Sequence, residues 1–232
     1  MDSDLVKRYR DEWESLRSKP LPKTADGDQP ANPLLLDVPN DYFDAGRKVM
    51  IFGQETNGWE RVFPCEGGVD HLLEVYERFY NQGGYYRYDG QFWNGFIQFK
   101  TGFEERLEPA GSKLQVMWNN VIKIGKADDR GKPPAPILDW QGRWFEVVRF
   151  EISHLQPTVV LFLSGPNYDD EIRRIYSDAQ FEAINERRCV RHLARVKADG
   201  LPYNSIRTYH PNYLFRSGFN EYLNEILNAL EP

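Results

Sequence analysis

The chain has 232 residues, of which 41% are hydrophobic and 28% are charged, with a net charge of −6. This is the composition of an ordinary globular protein. No apolar run reaches the roughly 18 residues of a membrane span, and the charged N-terminus lacks the apolar core of a signal peptide. We therefore expect a cytoplasmic protein without a membrane partner.

The two cysteines, Cys65 and Cys189, are too few for a disulfide framework. We expect both to be free thiols in a reducing compartment. With only four histidines besides, the chain also argues against an iron–sulfur cluster or a structural zinc site. The prediction is a protein with no metal and no cofactor.

The acidic net charge argues at first against a nucleic-acid partner, but the charge is unevenly distributed. Residues 187–216 contain seven basic residues and one acid, so this segment is strongly positive and the rest of the chain strongly negative. A local basic patch is sufficient to hold phosphates. A solvated helix face is the ordinary alternative, and charge alone does not decide between them.

The first half of the chain shows helical and strand patterns around a Pro-rich connection. Apolar periodicity predicts a helix over residues 4–19, and the prolines of 20–47 predict a long surface connection. The apolar run 49–52 predicts a central strand that ends in a tight turn at Gly53. Two further helices are predicted over 68–82 and 91–107.

The second half alternates in the same way. Strands are predicted at residues 114–124, 158–163 and 205–209, and helices at 143–155, 169–176, 181–197 and 219–230. Such alternation is typical of a parallel sheet with helices on both faces. We predict an α/β fold, a three-layer sandwich with a mainly parallel four-stranded central sheet, in one domain of residues 1–232. Its N-terminal part, 1–47, is the first helix and the Pro-rich connection.

In open α/β sheets, ligands bind beyond the carboxyl ends of the strands. Polar residues follow or interrupt each predicted strand, in the segments 54–59, 119–120, 164–167 and 210–216. Each segment has an ordinary explanation: a solvated acid in a turn, buried amides, or a Pro-anchored loop. Their order along the chain is more informative than any one of them.

That order resembles the uracil-DNA glycosylase superfamily from about residue 48 to the C-terminus. The family motif Gly-Gln-Asp-Pro-Tyr-His corresponds to GQETNG at 53–58, and its Leu-Leu-Leu-Asn segment corresponds to VMWN at 116–119. Its His-Pro-Ser-Pro-Leu-Ser motif, with a downstream Arg-Gly-Phe, corresponds to HPNYLF at 210–215 followed by RSGF. The resemblance implies the family's α/β fold and a flipped base in DNA as the substrate.

The resemblance also assigns roles to individual residues. Glu55 takes the place of the aspartate that activates water, and His210 that of the histidine that donates to the base O2. Base contacts are implied for Gln54, Asn57 and Asn119 (or Asn120, if the register differs by one), and Phe63 is one of three candidates for the aromatic that stacks on the base. Leu214 takes the place of the apolar wedge, and the flanking DNA contacts are implied for Ser164, Arg207, Tyr213 and Arg216.

The departures from the family pattern bear on the substrate. Glu55 is one methylene longer than aspartate. Asn57 stands where the family has the tyrosine that closes the pocket against a 5-methyl group. A bulkier pyrimidine is therefore as conceivable as uracil. Phe92 and Trp93 are the other candidates to stack on the base, and core packing is the alternative for all three aromatics. The aromatic segment 83–96 is either a substrate-facing loop or a helix packed on the sheet.

Three functions follow from these patterns. The first is a monofunctional, metal-independent DNA glycosylase, acting as a monomer in base excision repair or against modified phage DNA. The second is a catalytically inactive nucleic-acid-binding protein of the same fold. The third is an unrelated α/β enzyme in which Glu55 and His210 act as an acid–base pair on a small metabolite.

Overall fold

A computed structural model describes residues 2–107 and 113–230. The described chain forms an α/β fold in which helices flank a six-stranded mixed sheet. The strands are β1 Arg47–Asn57, β2 Leu114–Lys126, β3 Val159–Phe162, β4 Gln180–Ala183, β5 Leu193–Lys197 and β6 Asn204–Thr208. The helices are α1 Ser3–Arg17, α2 Gly68–Tyr76, α3 Gln91–Leu107, α4 Ala135–Trp144, α5 Val148–Leu155, α6 Asp169–Ile175, α7 Pro211–Ser217 and α8 Phe219–Asn228. The predicted α/β class is confirmed.

The sheet has the order β2-β1-β3-β6-β5-β4. β3 pairs in parallel with β1 and with β6, which aligns Phe52, Phe162 and Arg207. Backbone bonds at the two ends of β1, from Arg47 to Lys113 and from Gly58 to Lys126, indicate that β2 is also parallel to it. The prediction of a mainly parallel sheet agrees with these four strands, but the predicted count of four is wrong.

The two additional strands form an antiparallel extension. β5 pairs antiparallel with β6 and with β4. The helix predicted over 181–197 is therefore wrong. The apolar residues Leu193 and Val196 of this segment are buried, whereas β4 is mostly exposed. An edge strand with an exposed face lacks the apolar alternation by which strands are recognised.

Two helix and loop predictions also differ from the structure. The helix predicted over 143–155 begins only at Val148, because Phe145 adopts a non-helical conformation (φ −149°, ψ 61°) that ends α4. The connection 20–47 is not a surface segment throughout: Leu34, Leu35 and Leu36 are fully buried. The prolines correctly indicated an irregular backbone, but the side chains of residues 30–36 belong to the core.

The chain divides into two compact units, of residues 1–40, 54–84 and 120–154 and of residues 41–53, 85–119 and 155–232. The first unit has an aromatic core in which Phe63 packs edge-on against Trp13 and Trp140. In the second unit, Phe52 of β1 contacts Phe162 of β3, and Phe99 of α3 contacts Phe219 of α8. The prediction of a single domain over 1–232 stays a prediction.

Candidate functional site

The segment that carries Glu55 is a strand in the structure, where the sequence predicted a turn from Gly53. β1 continues to Asn57, with Gln54 and Glu55 half-buried and Asn57 exposed. The strand continues because Thr56 binds its neighbour: its buried Oγ1 accepts the N–H of Gly125 at 2.8 Å. A Cβ on Gly125 would lie 1.9 Å from the Thr56 carbonyl oxygen, so only glycine permits this approach.

The charge next to Glu55 is a lysine. Lys126 forms an ion pair of 2.6 Å with Asp129. Its pKa is raised, mainly by that hydrogen bond and in smaller part by the negative charge of Glu55. The positive charge of Lys126 therefore lies among the carboxylates of Asp129, Asp28 and Glu55.

The loop that follows β1 is held by a buried amide that the sequence did not indicate. Asn32 is fully buried. Its Nδ2 donates to the carbonyl of Glu60 at 2.8 Å, and its Oδ1 accepts the N–H of Cys65 at 2.9 Å. The only sequence signal was a polar residue inside the run PANPLLL. Phe63, in this loop, is 2% exposed, so it belongs to the core of the first unit and the expectation that it stacks on a base is not met in this structure.

The two asparagines of β2 lie in the middle of the strand. Asn119 and Asn120 are both buried, and β2 runs on to Lys126. The Asn119 Nδ2 donates to the Met50 sulfur at 3.5 Å, within the second unit. This surrounding is that of a core amide, one of the ordinary alternatives for these residues.

A buried charged group in the first unit was missed by the sequence analysis. Lys123 and Glu151 have fully buried side chains, and the Lys123 Nζ lies 2.8 Å from the Glu151 Oε1. The same oxygen accepts the Tyr9 hydroxyl at 2.5 Å, and the Tyr9 oxygen accepts the Leu36 N–H at 3.2 Å. Desolvation lowers the pKa of Lys123, an effect that Glu151 opposes. A lysine inside the apolar run VIKI was the available signal.

His210 is placed at the start of α7, in the second unit. It is the N-cap residue, and its Nδ1 accepts the N–H of Asn212 at 3.2 Å. A nitrogen that accepts a hydrogen bond carries no proton, so in the neutral ring the proton lies on Nε2. Burial lowers the pKa of His210 to about 4. At neutral pH the imidazole is therefore uncharged, with a fixed N–H donor at Nε2.

An aromatic ring lies beside His210. The ring centroids of Phe92 and His210 are 5.7 Å apart. The approach depends on Gly95, one turn further along α3, because a Cβ there would lie 2.4 Å from the Cβ of Pro211. Glycine at this position allows α3 to pack against the start of α7, which brings Phe92 to the histidine.

The other predicted residues of α7 divide by burial. Leu214 is fully buried, so the expectation of an exposed wedge is not met in this structure. Pro211 and Leu214 are three residues apart and form the buried face of the short helix. Tyr213 stacks on Tyr209 with centroids 4.0 Å apart, and Arg216 is exposed.

Two predicted DNA-binding residues of the second unit are buried. Ser164, directly after β3, is 1% exposed. Arg207 is fully buried and forms a two-point ion pair with Asp169, at 2.9 and 3.0 Å. It also donates to the carbonyls of Val190 and Arg191, each at 2.9 Å. A guanidinium so occupied does not bind a phosphate directly, and the prediction for Arg207 is wrong in that respect.

The predicted residues thus fall on both units. Glu55, Gln54, Asn57, Phe63 and Asn120 belong to the first, whereas Asn119, Ser164, Arg207, His210, Tyr213, Leu214 and Arg216 belong to the second. In the second unit, His210, Tyr213, Leu214 and Arg216 lie at the start of α7 and along it, and in the first unit Gln54, Glu55 and Asn57 lie at the end of β1.

The surface of the described chain has a groove in each unit. In the second unit, a groove of about 350 Å³ is lined by one face of α3 and by Phe215 of α7, with the amides of Gln91, Asn94 and Gln98 along it. In the first unit, a larger groove of about 630 Å³ lies between α1 and the loop before α2. None of the predicted site residues lines the larger groove.

In the described part of the chain, no group of three or more His, Cys, Asp or Glu side chains is arranged to hold a metal ion. No helix within residues 2–107 and 113–230 has both the length and the apolar content needed to cross a bilayer. Comparison with known proteins finds no matching family model, no matching curated protein and no matching solved structure.

Proposed function

We propose that the protein is a monofunctional DNA glycosylase that hydrolyses the N-glycosidic bond of a flipped uracil-like or modified pyrimidine. The motif order GQETNG, VMWN and HPNYLF, which resembles the uracil-DNA glycosylase superfamily, supports this proposal. Because the matched motifs contain no lysine to form a Schiff base, water is the proposed nucleophile. DNA is the proposed partner, and we propose that the protein acts as a monomer.

The state of His210 is the observation that carries the proposal. When the glycosidic bond breaks, its electron pair moves to the departing pyrimidine, whose O2 becomes negative. A preplaced neutral N–H donor stabilises that charge without itself losing a proton. His210 offers such a donor, because the cap bond to Asn212 fixes the proton on Nε2 and burial keeps the ring uncharged.

The proposed roles of the other residues follow the family pattern. Glu55 accepts a proton from the water that attacks the sugar C1′. Asn119 is proposed to read the base edge with its amide, a role for which its side chain would have to exchange the Met50 contact for the base.

The proposed substrate extends beyond uracil. Asn57 is exposed at the end of β1, where the family pattern has a tyrosine that excludes a 5-methyl group. A smaller side chain there leaves room for a substituent at the pyrimidine C5. Base excision repair and defence against phage DNA with modified bases are the two settings that such a substrate fits.

The second candidate is a nucleic-acid-binding protein without turnover. It is favoured by the position of Glu55 on a continuing strand, where the family pattern places its acid in a turn. A strand fixes the carboxylate direction by backbone pairing, which restricts its adjustment toward a substrate.

The test is alkali-revealed strand cleavage of labelled oligonucleotides after incubation with pure protein in EDTA. The substrates are uracil, hydroxymethyluracil, hydroxymethylcytosine and glucosylated hydroxymethylcytosine, each in single and double strands. The variants are Glu55→Gln and His210→Asn. Asparagine is itself a good N-cap, so His210→Asn removes the imidazole while keeping the cap of α7.

The matched control is Glu105→Gln, an exposed acid at the end of α3. Cleavage at one base, lost in both site variants and kept in the control, supports the glycosylase. DNA binding without cleavage of any substrate transfers the proposal to the second candidate. Cleavage that survives His210→Asn would refute the role given to the imidazole.

A further inference from the structure

The loop between β4 and β5, residues 184–192, is exposed and arginine-rich, yet firmly held. The side chains of Arg187, Cys189, Val190 and Arg191 are exposed. The loop belongs to the antiparallel extension of the sheet and is not part of the motif resemblance. It lies entirely within the second unit.

The loop is anchored first by its carbonyl groups. The buried guanidinium of Arg207 donates to the carbonyls of Val190 and Arg191, while Asp169 neutralises its charge. The Thr208 hydroxyl donates to the His192 carbonyl at 3.2 Å. Burying an arginine is costly unless it is paired and hydrogen-bonded. Arg207 makes four hydrogen bonds, two to carbonyl groups of this loop and two to Asp169.

The first half of the loop is anchored by side chains. The Asn185 oxygen accepts the N–H groups of Arg187 and Arg188, at 3.0 and 3.1 Å. Arg188 is bound by Glu221 and Glu225, each at 3.0 Å, and lies over the ring of Tyr222. Arg188 is therefore neutralised and structural.

Two arginines remain as outward-pointing charges. Arg187 and Arg191 are exposed and have no acidic partner among the ion pairs of the described residues. The only acid within residues 184–192 is Glu186. Exposed arginines on a rigid backbone are preorganised to bind an anion, because no loop entropy is lost on binding.

The end of the loop adjoins the start of α7. His192 lies 5.7 Å from the ring of Tyr209 and 6.3 Å from that of Tyr213. Both tyrosines are within three residues of His210. A DNA strand bound near His210 would therefore also lie close to the loop 184–192.

We propose that the loop 184–192 binds the phosphate backbone of DNA through Arg187 and Arg191, with Arg207 as the positioning residue that holds the loop. This inference rests on the proposed function for its partner. Val190, 36% exposed between the two arginines, contacts the sugars. In this proposal, the loop binds the DNA backbone next to the flipped nucleotide.

The first test is protection of a thiol. Cys189 is exposed in the loop, whereas Cys65 is half-buried in the first unit and burial raises its pKa. The wild-type protein is alkylated with iodoacetamide, with and without an unmodified oligonucleotide, and both sites are followed by mass spectrometry. We expect saturating DNA to slow alkylation of Cys189 about fivefold or more by excluding the reagent, and to leave Cys65 unchanged.

The second test is the salt dependence of binding. Arg187→Ala and Arg191→Ala are each expected to weaken binding about fivefold at about 0.1 M salt and to reduce the slope of log K against log salt by about 1. Arg106→Ala, an exposed arginine on α3, is the matched control and is expected to do neither. Single-stranded and duplex oligonucleotides are measured separately, so the preferred form of the backbone is also obtained.

The positioning role of Arg207 is tested by a double-mutant cycle. Arg207→Lys keeps the charge but loses the planar fork that binds both carbonyls. If Arg207 acts through the loop, Arg191→Ala costs less affinity in the Arg207→Lys protein than in the wild type. Additive losses would show that Arg207 has a general structural role only.

The outcomes separate the two proposals. Base cleavage without protection of Cys189, and with unchanged salt slopes, would overturn the loop proposal and leave the glycosylase intact. Protection and reduced slopes without cleavage would support the loop and overturn the glycosylase. Absence of DNA binding by the wild type would overturn both.

Discussion

The buried pair of Lys123 and Glu151 gives the sharpest prediction about stability. Both side chains are fully buried, and the two Nζ–Oε distances are 2.8 and 3.1 Å. Lys123→Met removes the cation and leaves Glu151 with Tyr9 as its partner in the apolar interior. Removing one member of a buried ion pair costs about 3–5 kcal/mol of the free energy of unfolding.

For a chain of this size, 1 kcal/mol corresponds to about 2–4 °C in the melting temperature. We therefore expect Lys123→Met to lower the melting temperature by about 6–20 °C, measured by circular dichroism or calorimetry. The matched control is Arg10→Ala. It breaks an ion pair of the same 2.8 Å length, but with side chains 58% and 64% exposed. Exposed pairs contribute about 0–1 kcal/mol, so the control is expected to melt within about 4 °C of the wild type.

The double variant Lys123→Met/Glu151→Leu distinguishes the cause. It removes both charges, and apolar replacement of a buried pair is often neutral or stabilising. We expect it to recover most of the loss, apart from the hydrogen bond that Tyr9 donates to Glu151. The reasoning is refuted if Lys123→Met costs no more stability than Arg10→Ala. It is also refuted if the double variant costs as much as Lys123→Met and a separately measured Glu151→Leu added together.

Three further predictions concern the second unit. The pKa of His210 in the folded protein, about 4, lies below its ordinary value near 6.5, so the unfolded state binds more protons between these two pH values and stability falls as the pH falls from 6.5 to 4. Urea unfolding should show a smaller loss of stability for His210→Asn over the same pH range. An equal loss would contradict the pKa assigned to His210. Gly95→Ala places a methyl group against Pro211, and overpacking of about 1–3 kcal/mol should appear as a lower melting temperature; a rise, from helix propensity alone, would show that α3 and α7 can separate freely. Tyr86 and Tyr88 are 60% and 57% exposed, so their replacement by alanine should leave the free energy of unfolding within about 0.5 kcal/mol of the wild-type value. If these rings stack on unpaired bases, the same replacement should weaken the binding of single-stranded DNA more than that of duplex DNA, measured by fluorescence anisotropy. Equal weakening would refute that role.

The sequence predicted the central elements well because their signals are local. The runs at 49–52 and 159–162 are continuous and apolar, and both are buried strands. The helix predicted over 91–107 is α3. In each of these segments, periodicity and burial indicate the same structure.

The failures have physical causes that a single sequence does not display. Ladder pairing with β6 and β4 makes residues 193–197 a strand, although the sequence predicted this segment as part of a helix. In the sequence, a buried arginine such as Arg207 cannot be distinguished from an exposed arginine that binds phosphate. The ion pair with Asp169 becomes visible only in the structure. Leu214 followed the family motif, but the packing of a seven-residue helix places it in the core. Local patterns therefore located the apolar centres of the parallel strands, while tertiary contacts decided where β1 ends and which side chains are available there.

The bond between Asn212 and His210 links the chemistry of the ring to the folding of α7. Because one lone pair both terminates the helix and excludes a proton from Nδ1, the tautomer cannot change while the first turn is intact. Exchange of the imidazole proton between the two nitrogens is then gated by local opening of that turn. Nitrogen NMR of the histidines should find His210 in a single tautomer, with its interconversion as slow as amide exchange at Asn212. The first turn of α7 thus fixes the position of the imidazole proton, and local opening of that turn sets the rate at which the two tautomers interconvert.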